Sequence, residues 1–79
     1  MKLQEIIELY GDLELLKADG FDDAVIGIEV KTGRLVYDTN KMIQILIEDD
    51  MTEEDAIEYI DYNVIGAYVG ELTPIFITI

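Results

Sequence analysis

The chain contains no cysteine, histidine, serine or tryptophan, has one proline, and carries no basic residue after Lys41. Without cysteine there are no disulfides or thiolate metal sites, which fits a reducing compartment. Without histidine and serine, the commonest general base, the serine nucleophile and the usual zinc and copper ligands are missing. An ordinary hydrolase is therefore not expected. The best catalytic arrangement left is a carboxylate pair of the glycosidase kind. Yet 18 acids make chance pairs unavoidable, and 79 residues leave little room for a deep substrate cleft. The expectation is no enzyme activity and no cofactor. Long apolar runs are also absent: the first residues lack the apolar core of a signal peptide, and no stretch approaches the ~20 residues of a membrane span. This reads as a soluble cytoplasmic protein of one domain, 1–79, with no membrane partner.

What the chain does have is negative charge. Its 18 Asp and Glu stand against 5 Lys and Arg, for a net charge of −13. From residue 42 onward there are nine carboxylates and no cation. The magnitude of roughly 2 to 8 that keeps a small domain soluble is well exceeded, so solubility alone does not account for it. A one-signed field of this size repels nucleic acid and anionic membranes and attracts the proteins that bind them. The composition is not that of a disordered chain: 51% of residues are hydrophobic and 13 are isoleucine. At this length a single core is only marginally sufficient, and oligomerisation is a common remedy.

Apolar spacing predicts the elements. Leu3, Ile6, Ile7, Tyr10, Leu13 and Leu16 recur every three or four residues, predicting a helix over about 3–18, weakened at Gly11 and ended near Lys17 and Gly20. Residues 24–30 are β-branched, with Ala24, Ile26, Ile28 and Val30 on one face, and they turn through Gly33 into a second strand over 34–38. Arg34, at this turn, reads as a surface residue or a neutralising partner for a carboxylate. Thr39 or Asn40 caps a helix over 41 to about 48 whose apolar content predicts that it is largely buried. Thr52 caps the next helix, which runs through Ile57, Ile60, Val64 and Tyr68 to Gly70. After Pro74 an apolar strand over 75–79 is unsafe as an exposed edge. It should lie inside the sheet, between helices and a partner surface, or under a second protomer. The fold class is α+β, one small domain in the order α-β-β-α-α-β, with a three-stranded sheet whose hairpin packs against helices.

Glu48, Asp49, Asp50, Glu53, Glu54, Asp55, Glu58 and Asp61 place eight carboxylates in fourteen residues. Glu54, Glu58 and Asp61 share one stripe of a helix, with about 6 Å of axial rise over the four-residue step. That spacing suits a phosphate-binding groove. The alternative is a solvated helix face with a well-charged first turn. Against it, no Lys or Arg is interleaved at i+4. The cluster does not match a calcium-binding loop, so loose counterion association is expected and no metal site is assigned. Tyr59 and Tyr62, beside these carboxylates, have interface composition, whereas Tyr68 reads as core. Asn63 is unfavourable within a helix and should bond a buried backbone or a partner group.

The stretch Asp49-Asp50-Met51-Thr52-Glu53-Glu54-Asp55-Ala56-Ile57-Glu58-Tyr59 is followed by Asn63-Val64-Ile65-Gly66-Ala67-Tyr68-Val69-Gly70-Glu71 and Thr73-Pro74-Ile75-Phe76. Together with Gly20-Phe21-Asp22-Asp23-Ala24 and Arg34-Leu35-Val36-Tyr37, it resembles small acidic proteins encoded by bacteriophages and prophage-bearing bacteria. That family brings no agreed activity or catalytic residues. The resemblance implies a viral or mobile-element gene expressed in a bacterial cytoplasm, a setting in which small acidic proteins often inhibit host defence nucleases, some by imitating DNA.

The function expected is therefore a non-enzymatic inhibitor of a host nucleic-acid-binding defence protein, such as a CRISPR effector or another nuclease. The carboxylates of 48–61, with Tyr59 and Tyr62, would occupy its basic groove as a DNA mimic. The alternative is an interaction or scaffold module that self-associates through the C-terminal strand. Neither binds nucleic acid directly, and both accommodate a homodimer.

Overall fold

Alternation along Arg34–Asp38 (β2) organises the molecule: Leu35 and Tyr37 point to one face and are fully buried. The computed structural model describes residues 1–11, 14–67 and 70–79. Val25–Glu29 (β1) pairs antiparallel with β2, and Gly33 takes the left-handed conformation of the turn at φ 74°. Ile75–Ile77 (β3) pairs parallel with β2, giving the order β1-β2-β3. Parallel neighbours need a crossover, here supplied by Thr39–Glu48 (α2) and Glu53–Ile60 (α3). With Leu3–Tyr10 (α1) and a short 3-10 turn at Asp22–Ala24, the order is α-β-β-α-α-β, as the sequence predicts.

The core lies on the Leu35–Tyr37 face, where Leu3, Ile6, Phe21, Ala24, Val25, Met42 and Ile60 gather. Full burial of a large apolar side chain such as Ile6 or Met42 contributes about 1.5–3 kcal/mol. The Tyr37 ring also meets Phe76, with centroids 5.7 Å apart, and its hydroxyl accepts a 2.8 Å bond from the Ala18 N–H.

Several sequence expectations are corrected. The first helix ends at Tyr10, not near 18. Gly11 weakens propagation, and Ala18 finds its backbone partner in the Tyr37 hydroxyl, which removes the need for a helical one. Leu13, assigned to that helix, lies outside the described residues. In β1 Val25 is buried and Ile28, opposite Leu35, packs against the core as expected, whereas Val30 lies past the end of the strand and is 80% exposed. The register shifts between Val25 and Gly27, and one extra residue inverts the in-out alternation. The cap of α2 is Asp38, whose carboxylate accepts from the Asn40 N–H at 2.9 Å, and in that helix only Met42 is fully buried. β3 is an edge strand, not an interior one.

Arg34 makes that edge possible. Its Nε donates to the Thr73 carbonyl at 2.6 Å, so it clamps the backbone entering β3. At the other end, the Thr39 hydroxyl donates to the Ile77 carbonyl at 3.1 Å. Two polar groups next to β2 thus fix the strand where apolar burial alone would not.

Candidate binding surface

The acidic segment is built by two helix ends that meet at a corner. Glu48 closes α2, Asp49 and Asp50 form the turn, and Glu53, Glu54 and Asp55 occupy the first turn of α3. Glu58 lies one turn further, and Asp61 opens a π-helical turn at Asp61–Ile65. All eight carboxylates are exposed. The one ion pair among the described residues, Lys17 to Asp22 at 3.9 Å, involves none of them. Three of the five cations, Lys2, Lys17 and Lys41, instead line an open groove of about 660 Å³ to which 48–61 contributes no residue. Glu5, Asp22 and Asp23 line the same groove, so its charge is mixed, whereas 48–61 carries carboxylates and no cation.

Local physics explains one half of the acidic segment. Glu53, Glu54 and Asp55 sit at the positive end of the α3 dipole, where anions are favoured, and the Thr52 hydroxyl caps the helix by accepting from the Asp55 N–H at 3.2 Å. Glu48, Asp49 and Asp50 do the reverse: they stand at the negative end of α2, with no basic residue in its last turn. The helix closes in a Schellman arrangement, the Met51 N–H reaching the Leu46 carbonyl at 3.1 Å and the Asp50 N–H reaching Ile47 at 3.0 Å. This closure puts Asp50 at φ 73°, a left-handed position that glycine normally fills. Three acids thus occupy a site that disfavours them on dipole grounds, and one does so in a backbone conformation that favours glycine.

Tyr59 is 40% exposed and Tyr62 85% exposed, so both belong to the surface beside the carboxylates. Tyr68, assigned to the core, lies outside the described residues. The Asn63 side-chain amide donates to the Tyr59 carbonyl at 3.2 Å, an exposed backbone group and not the buried one expected. By taking the carbonyl of the residue four before it, this bond competes with the helical ladder where the helix widens to the π-turn. The helical path therefore ends at Ile65, before the expected stop at Gly70.

Comparison with protein-family models, with curated proteins and with solved structures returns no match. The surface must be read from its own chemistry. Among the described residues no three carboxylates converge closely enough to hold a metal ion, and no helix is long and apolar enough to cross a membrane.

Two titrating groups lie away from the acidic corner. Burial pushes the Tyr37 hydroxyl above its ordinary value, and the nearby Asp22 and Asp19 charges add to this. The Thr32 hydroxyl and the Lys31 N–H hold Glu29 below its ordinary 4.5 in the hairpin turn.

Sequence reasoning missed a cavity of about 240 Å³ lined by Phe21, Tyr59, Pro74, Phe76, Asn63 and Asp19, among others. These residues come from the segment after α1, from α3 and its π-turn, and from β3 and its approach. No periodicity in the sequence links such distant positions.

Proposed function

We propose that this protein is a non-enzymatic inhibitor, phage-encoded and acting in a bacterial cytoplasm. Its acidic corner occupies the nucleic-acid groove of a host defence protein, a CRISPR effector or another nuclease. One observation carries the reading. Glu48, Asp49 and Asp50 stand, unpaired among the described residues, at the helix end that disfavours them, and Asp50 adopts a left-handed conformation. Local rules broken without compensation within the fold are expected where selection acts on binding. A Lys- and Arg-lined groove supplies the missing counter-charge and makes both encounter and specificity electrostatic.

The test compares the wild type with a variant in which Glu48, Glu54 and Glu58 are changed to Gln and Asp49, Asp50 and Asp61 to Asn. Each is immobilised, exposed to bacterial lysate at low salt and eluted with rising salt. The reading expects a DNA-binding protein that the wild type holds at low salt, releases at moderate salt and prevents from binding DNA; the variant does none of this. An equally retentive and inhibitory variant sinks it.

A second reading is favoured by the position of β3. This strand has a sheet neighbour on one side only, and Ile77 and Ile79 are 41% and 75% exposed. An apolar edge of this kind suits a scaffold that self-associates by strand pairing. In that case sedimentation equilibrium finds a dimer that persists at high salt and is lost in Ile77→Lys.

A further inference from the structure

We propose that the 240 Å³ cavity between Tyr59 of α3 and Phe76 of β3 anchors an arginine side chain of the basic partner, an inference that rests on the binding function proposed above. Its volume lies below the ~300–1,000 Å³ of pockets for drug-sized ligands, which suits a single side chain. Phe21, Tyr59, Phe76 and Pro74 supply an apolar lining for an aliphatic stem. Phe21 belongs to the buried core and Phe76 is backed by the Tyr37 ring, so these walls are already in place before any ligand arrives. A planar, weakly hydrated guanidinium stacks on aromatic rings better than a compact ammonium, which selects arginine over lysine.

Counter-charge is present as well. Asp19 lines the cavity with an exposed carboxylate. Lys17, the one cation of the lining, is paired with Asp22 at 3.9 Å. Tyr59 and Asn63 line the cavity from the same helical segment that carries Glu58 and Asp61. A partner whose basic groove meets the carboxylates of 48–61 would present an arginine to it. The anchor gives the encounter a fixed register, which a diffuse negative field lacks.

The experiment titrates the isotopically labelled full chain by NMR with three single-residue probes: the Nα-acetyl amides of L-arginine, L-lysine and L-norleucine. The arginine probe is expected to shift the amides of Ala18, Asn63 and Thr73, lysine to act more weakly, and norleucine not at all. Asp19→Asn should weaken arginine binding by up to about fivefold, the upper end for an exposed charge pair. Because Asp19 is exposed, this variant should melt with the wild type. Shifts confined to 48–61, or norleucine matching arginine, overturn the proposal. A hexa-arginine peptide separates the two readings: binding without cavity shifts overturns the anchor and leaves the acidic-corner function standing. Cavity shifts that weaken in Asp19→Asn, in a chain that captures no nucleic-acid-binding protein, support the anchor and remove the function assigned to it.

Discussion

Replacing Asp50 by glycine should stabilise this protein while weakening its binding. At φ 73°, Asp50 bears the left-handed cost, about 1–2 kcal/mol and toward the lower end for a short polar side chain. Glycine removes that cost but loses about 0.5–1 kcal/mol through its freer unfolded chain. The substitution also removes a negative charge from the negative end of α2, a relief of about 0.3–1 kcal/mol. The net gain is about 1 kcal/mol. In a domain of this size that raises the melting temperature by about 4–8 °C. Thermal unfolding followed by circular dichroism at low salt measures it. Asp50→Asn separates the two contributions: it keeps a residue that tolerates the left-handed region and loses only the charge, so its gain should be smaller and should fade in high salt. Paired with these gains, capture of a basic partner should weaken in both variants. If Asp50→Gly melts at or below the wild-type temperature, the assignment of Asp50 as a structurally unfavourable acid is refuted, and with it the observation on which the binding function rests.

Tyr37→Phe should cost about 1–3 kcal/mol by leaving the Ala18 N–H without its partner, seen as a lower melting temperature and faster hydrogen exchange at Ala18. The same hydroxyl sets an alkaline limit. Its folded value is raised, so its contribution is complete below the unfolded value near 10 and is lost as pH rises through the folded one. Tyr37→Phe should flatten that part of the alkaline melting profile. Glu29 works in the opposite sense: its folded value is depressed, so its contribution is present above 4.5 and is lost as pH falls through the lower folded value. Glu29→Gln should therefore flatten the acid limb of the melting profile below pH 4.5. Asp38→Ala should cost about 1 kcal/mol through loss of the α2 cap, whereas Asn40→Ala leaves that cap intact; urea titration of both variants distinguishes them.

Local pattern was sufficient for the hairpin, because β-branched runs meet at Gly33, and for the start of α3, because Thr52 precedes three acids. The exposure of all eight carboxylates in 48–61 was equally legible, since unpaired charge is not buried. These features depend on residues close in sequence, and the energies that decide them are local. Tertiary structure alone decided the rest. The hydrogen bond that holds Ala18 comes from a tyrosine 19 residues later, and the clamp on the backbone entering β3 from an arginine 39 residues before Thr73. The bulge that turns Val25 inward appears only once β1 is paired with β2. Closure of α2 is local, within residues 46–51, yet the left-handed position it gives Asp50 was not legible, because the sequence has an acid where that closure favours glycine. The run of negative charge is legible in the chain itself, while long-range packing determined where Arg34 clamps the backbone entering β3 and where the cavity between Phe21, Tyr59 and Phe76 lies.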